Sequence, residues 1–158
     1  MNARQPPSGF TLFEVLLVLT IAGLIFATSA GSLSAMLDTM QYREAVRTLE
    51  SAAKNARRKS IRMGIPVDLL IDARKSSYLV VAASSQIKGS DMATLPDSLT
   101  FGVTSAAEVS RDTQIAAIRF YPSGGSTGGE ITIRRESGAG VVLNIDWLLG
   151  LTTQQPLG

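Results

Sequence analysis

The hydrophobic pattern of this chain changes twice. From Val15 to Leu37 the sequence is almost continuously apolar, and no charged residue falls between Glu14 and Asp38. From Met36 onward, Met36, Met40, Ala45, Leu49, Ala52, Ala53 and Ala56 recur at helical spacings. Arg43, Glu44, Arg47, Glu50, Lys54, Arg57 and Arg58 fall on other faces. The period persists to Met63, where Gly64 and Pro66 are stop signals. Beyond Pro66 the period drops to two.

Candidate strands are Val67 to Ile71, Ser77 to Ala83, Leu99 to Val103, Ile115 to Tyr121, Glu130 to Arg135 and Val141 to Leu148. Turn-rich stretches separate them: Asp72 to Ser76, Ser84 to Pro96, Ser105 to Thr113, Ser123 to Gly129 and Glu136 to Gly140. No helix-length period lies between the strands, so the sheet is expected to be mostly antiparallel. The fold class is α+β: a long N-terminal helix packed on a C-terminal β-sheet or sandwich. The expected segments are a leader at 1–9, an apolar helix at 10–37, an amphipathic helix at 38–63, a β domain at 64–150 and a polar tail at 151–158. The tail contains Pro156 and shows no apolar period, so poor order is expected there.

Crossing a bilayer takes about 20 apolar residues, and the first segment is long enough. Glu14 sits near its start, and a carboxylate in hydrocarbon costs at least ~2.5 kcal/mol, so it needs a partner. Small residues, Gly23 and Gly31 among them, interrupt the second half and read as helix-packing positions. A secretory signal peptide is the bland alternative, with Arg4 as the basic start and Ser29-Ala30-Gly31 as cleavage chemistry. The apolar run is too long for it, and Glu14 breaks its entry.

Composition narrows the chemistry. There is no cysteine and no histidine, which removes His-based triads, Cys nucleophiles and the usual zinc ligand sets. The acidic residues form no calcium-loop spacing. No catalytic residue, metal or cofactor is expected. Net charge is +2, well short of a dedicated nucleic-acid binder. The basic cluster Lys54, Arg57, Arg58, Lys59 and Arg62 has no interleaved aromatics and reads as a solvated helix face. Ser123-Gly124-Gly125-Ser126-Thr127-Gly128-Gly129 lacks a Walker lysine and leads into a strand, so it reads as a flexible hairpin connection.

Gly9-Phe10-Thr11-Leu12-Phe13-Glu14, followed by the apolar run, resembles the processing site of type IV pilin-like proteins. The stretch Phe120-Tyr121-Pro122-Ser123-Gly124-Gly125-Ser126-Thr127-Gly128-Gly129, with Asp146-Trp147-Leu148, resembles the C-terminal region of the GspH/FimT family, and within it the type II secretion pseudopilins. The family often carries Thr-Gly-Arg after Trp-Leu, where this chain has Leu149-Gly150-Leu151. Both ends of the chain carry the resemblance, and the middle, roughly Val67 to Thr113, rests on pattern alone.

The resemblance implies cleavage between Gly9 and Phe10 by a prepilin peptidase and N-methylation of Phe10. Glu14 would meet the N-terminal amine of a neighbouring subunit during assembly. Phe120, Pro122, Gly124, Ser126, Thr127, Gly128, Gly129, Asp146 and Trp147 are the motif residues. The implied function is that of a minor pseudopilin, a structural part of a periplasmic pseudopilus that helps export folded proteins. It would be a single-pass protein of the bacterial inner membrane, with its C-terminal domain in the periplasm. Its partners would be major and minor pseudopilins, the inner-membrane assembly platform and secreted cargo. The rival is a FimT/FimU-like minor pilin that binds DNA in natural transformation. The scattered Arg111, Arg119, Arg134 and Arg135 offer that rival little, and no nucleic acid is expected.

Overall fold

The computed structural model describes residues 10–85, 91–105 and 115–157, except that the side chains of 27–35 lie outside the described residues. It contains one helix, α1 (Leu12–Met63), and eight strands: β1 (Val67–Asp72), β2 (Ser77–Ala82), β3 (Ala93–Thr94), β4 (Leu99–Ser105), β5 (Ile115–Phe120), β6 (Gly129–Arg135), β7 (Gly140–Ile145) and β8 (Thr152–Leu157). The chain divides into two compact units, Met1–Thr39 and Met40–Gly158.

Both ends of α1 have local causes. Thr11 is the N-cap: its Oγ1 accepts the Glu14 amide at 3.3 Å, and its carbonyl accepts the Glu14 and Val15 amides. At the other end Gly64 adopts φ +67°, and its amide donates to the Ser60 carbonyl at 3.0 Å. That left-handed residue closes the last turn, and Pro66 prevents resumption.

In the first unit the large apolar side chains from Leu12 to Phe26 are exposed all round the helix. Thr20 donates its hydroxyl to the Leu16 carbonyl at 2.6 Å, which leaves it no need of water. Among the described residues no helix is long and apolar enough to cross a membrane. The described side chains of the apolar run stop at Phe26, and the continuation at 27–35 lies outside them.

In the second unit the helix contributes Ala45, Val46, Leu49, Ala52, Ala53 and Ala56 to the main core, while Leu70 and Ala117 form a second, smaller cluster. Two four-stranded antiparallel sheets complete the main core, ordered β3-β2-β1-β5 and β4-β6-β7-β8. Val67, Leu69, Ile71, Ile118 and Phe120 come from the first sheet, and Phe101, Ile131, Ile133, Leu143 and Ile145 from the second. Ser60, fully buried, donates to the Phe120 carbonyl at 3.1 Å and so fixes α1 against β5. The fold class is the one expected.

Three details depart from expectation. Met36 and Met40, which share the helical period of the Leu/Ala positions, are exposed, and burial begins around Tyr42 and Ala45. A short strand, β3, lies within the expected Ser84 to Pro96 loop. The tail is the largest correction: Thr152–Leu157 forms β8, paired with β7 in register from Ile145↔Thr152 to Gly140↔Leu157. An edge strand facing solvent on much of its surface needs no apolar alternation, and Pro156 is tolerated at such an edge.

β1 is buried on both faces, and its outward Asp68 is fully buried. Arg119 of β5, its register partner, answers with two bonds, Nε to Oδ1 at 2.7 Å and Nη2 to Oδ2 at 2.9 Å. The carboxylate beside it raises the Arg119 pKa. Elsewhere Glu50 on α1 accepts Lys54 at 2.6 Å and Gln154 of β8 at 2.9 Å, which ties the edge strand to the helix.

Two outcomes follow for stability. Asp68→Ala strands the guanidinium; since Arg119 is 28% exposed, the cost should be about 2–4 kcal/mol in denaturant unfolding, at or below the usual figure for a wholly buried pair. The double variant Asp68→Leu with Arg119→Met should recover most of it. The hydrogen bond from Lys54 lowers the Glu50 pKa from the ordinary 4.5, burial opposes it, and the Lys54 charge and Gln154 add to the lowering. Its contribution is therefore present above pH 4.5 and lost as pH falls through the lower folded value. Thermal melts of Glu50→Gln should trail the parent above that pH and converge with it below.

Candidate assembly site and the loop clasp

The residues expected to act in processing and assembly lie around the start of α1. Gly9 lies outside the described residues. Phe10 precedes the helix and is 82% exposed. Glu14 is the third helical residue, exposed, in the first turn where a carboxylate favours the helix dipole. Thr11-x-x-Glu14 is also the spacing of a capping box, a signal the sequence carried. Thus Glu14 has a local role in starting the helix, separate from any contact with a second subunit. At Gly23 an added Cβ would meet nothing within 4 Å, so no neighbour in this chain requires the glycine. The surroundings of Gly31 lie outside the described residues.

The motif residues gather where β5 hands over to β6. These strands belong to different sheets, so the glycine-rich stretch is a crossing and not a hairpin. Nor is it loose: Gly124, Gly125, Ser126 and Gly128 are buried. Ser126 donates its amide to the Trp147 carbonyl at 2.8 Å and its hydroxyl to the Asp146 carbonyl at 2.9 Å, and accepts the Gly128 amide at 2.9 Å. Thr127 exchanges bonds with Arg119: its amide donates to the Arg119 carbonyl at 2.9 Å, and its hydroxyl accepts the Arg119 amide at 3.1 Å. The Tyr121 amide donates to the Gly125 carbonyl, and the Gly124 amide to that of Tyr121, both at 2.9 Å. Phe120 is fully buried and Pro122 half-buried beside this turn.

Opposite lies the turn 146–150. Asp146 Oδ1 accepts the Leu149 amide at 2.6 Å, and its carbonyl accepts the Gly150 amide at 2.9 Å. Gly150 sits at φ +60°, and a side chain there would run into the Gly124 carbonyl at 2.6 Å. Only glycine fits both the conformation and the space.

Arg57 closes the clasp. Its Nε donates to the Gly124 carbonyl at 3.0 Å and to the Leu149 carbonyl at 2.8 Å. This removes Arg57 from the solvated face on which its charge run placed it, and Lys54 from the free cations, since it pairs with Glu50. In place of an arginine after the Trp-Leu pair, a guanidinium reaches this turn from α1. Trp147 itself remains 67% exposed.

Among the described residues no group of three or more His, Cys, Asp or Glu side chains is placed to hold a metal. Arg57→Ala should cost about 1–2 kcal/mol, the lower part of the range for charge-assisted bonds because the turn is partly solvated. It should also make Trp147 more accessible to acrylamide quenching, with Arg57→Lys recovering only part of both losses.

Known proteins fit this architecture. The family model described as Type II transport protein GspH matches residues 45–149. Type II secretion system protein H of Xanthomonas campestris pv. campestris is 27% identical over 154 residues, covering 98% of this chain and 86% of its own. Two solved structures share the fold at 12% identity. The minor pseudopilin EpsH from the Type 2 Secretion System of Vibrio cholerae has a TM-score of 0.54 and covers 75% of this chain and 97% of its own. The type IV minor pilin FimU of Pseudomonas aeruginosa has a TM-score of 0.53 and covers 77% of this chain and 92% of its own. With the buried helix face, β1 to β7 and all of the clasp but Gly150 inside the matched residues, the chain belongs to the GspH family of type II transport proteins.

Proposed function

We propose that this chain is a minor pseudopilin of the type II protein secretion system, a structural subunit of the periplasmic pseudopilus. It is cut after Gly9 by a prepilin peptidase and methylated on Phe10. The segment 10–37 holds it in the inner membrane, single-pass, with the C-terminal domain in the periplasm. The assembly platform then builds it, with other pseudopilins, into a filament that helps folded cargo cross the outer membrane.

The observation that carries this reading is the exposed apolar helix with a carboxylate in its first turn. Large side chains from Leu12 to Phe26 gain nothing within their own chain. At roughly 25 cal/mol per Å² of apolar surface, leaving them in water is untenable. Lipid can cover them before assembly and neighbouring helices afterwards, and open space at Gly23 allows close approach. Glu14 then finds its counter-charge in the amine of a neighbour's Phe10, where scarce water strengthens the attraction.

The likeness to FimU favours a second reading, a type IV minor pilin, because its TM-score is close to that of EpsH. The basic residues give DNA binding little support. Arg119 is held by Asp68, and Arg135 lies over the Tyr42 ring at 4.1 Å. Family membership and the relative from Xanthomonas weigh toward secretion.

Complementation of a strain lacking this subunit tests the reading. Glu14→Gln and Glu14→Ala should insert in the membrane at normal levels while secretion and recovery in sheared pseudopili fall at least about tenfold. Mass spectrometry should find a mature N-terminus at methylated Phe10. Normal secretion by both variants, or a different N-terminus, would count against it.

A further inference from the structure

The outward face of the second sheet ends at an exposed tryptophan, and the two together have the chemistry of a carbohydrate site. In register across β4, β6, β7 and β8 stand Thr104, Glu130, Asn144 and Thr153. Their strand neighbours Ile131 and Leu143 point the other way and are fully buried in the core, so these four side chains share the outer face. All are polar and none is cationic.

Trp147 stands at the end of that row, with its ring largely in solvent. Its base rests on Gly128, where an added Cβ would come within 3.2 Å of the Trp147 Cβ. The clasp holds its backbone through Ser126, whose amide bonds the Trp147 carbonyl. A broad exposed indole on a fixed turn offers a flat apolar surface for stacking. A shallow depression of about 630 Å³ joins the two features, lined by Thr104, Glu130, Asn144, Asp146 and Trp147 among others.

We propose that this depression binds a pyranose chain. A pyranose offers an apolar C–H face to an aromatic ring and a rim of hydroxyls that both donate and accept. Trp147 supplies the platform, and the rim meets Thr104, which donates and accepts, Asn144, which does the same through its amide, and Glu130, which accepts. The Asn144 to Glu130 bond is long, at 3.4 Å, so both groups can turn to a ligand without losing a strong contact. Among the described residues no lysine or arginine lines the depression, which favours a neutral polar ligand over phosphate. The inference stands apart from the secretion reading, because it uses only the second unit's sheet and turn.

Trp147 is the chain's sole tryptophan, so its emission reports this site alone. The full chain in a non-glycosidic detergent is titrated with tetramers of β-1,4 N-acetylglucosamine, β-1,4 glucose and α-1,4 glucose, and with an arginine-bearing peptide. A saturable shift with at least one tetramer below about 10 mM, insensitive to salt, is expected, and the tetramer that responds identifies the sugar. In affinity electrophoresis on that glycan, Trp147→Ala should weaken retention about tenfold. Asn144→Ala should weaken it severalfold, and Glu130→Gln, which keeps the hydrogen-bonding rim, should retain it. No response to any tetramer overturns the proposal. So does a response confined to the arginine peptide and abolished by Glu130→Gln, which would mark the face as a dock for a basic protein segment.

Discussion

Everything in the second unit depends on one narrow helix face. Ala45, Val46, Leu49, Ala52, Ala53 and Ala56 form a stripe whose side chains, Val46 and Leu49 aside, are no larger than a methyl group. This face shares one cluster with Leu69, Ile71, Phe120, Ile131 and Ile133 of the two sheets. Two sheets that pair through no common ladder are thereby made to share one core. A bulky residue in that stripe would push both sheets away together, since a close-packed interior has no slack to absorb it.

The crossings between the sheets carry the remaining burden. Among the described elements the chain passes from β3 to β4, from β4 to β5 and from β5 to β6 between sheets. The last crossing is the clasp, where backbone amides, a serine hydroxyl and Arg57 satisfy carbonyls that burial would otherwise strand. Its glycines serve close approach and left-handed backbone, not mobility. The turn that displays Trp147 is built from the same bonds, so the display and the closure of the fold are one device.

This explains what could be read from the chain and what could not. The end of α1 was legible because Gly64 and Pro66 act locally, and the strands were legible because Ile131 and Ile133 alternate with Thr132 and Arg134. The Thr11 cap was missed, although its spacing to Glu14 is that of a capping box. By contrast, β8 is defined by the edge of β7 that it covers, and nothing within Thr-Thr-Gln-Gln-Pro-Leu announces a strand. Arg57 is one cation in a run of similar residues, and its partners Gly124 and Leu149 lie 67 and 92 residues away. A pattern read along the chain cannot rank equivalent charges by contacts so distant.

Glu14 brings local and intersubunit physics onto one side chain. Its third-residue position lets the helix dipole stabilise the carboxylate before any partner arrives, by roughly 0.3–1 kcal/mol where the site is wet and more where it is dry. That term is far smaller than the cost of burying an unpaired charge. Local capping can therefore start the helix but cannot make a lone subunit comfortable in hydrocarbon. Under the proposed function, the remaining deficit falls when an amine from a neighbouring subunit comes within reach. On that proposal the carboxylate opposes isolation and favours assembly, and an alanine or glutamine in its place would remove the deficit together with the reason to assemble.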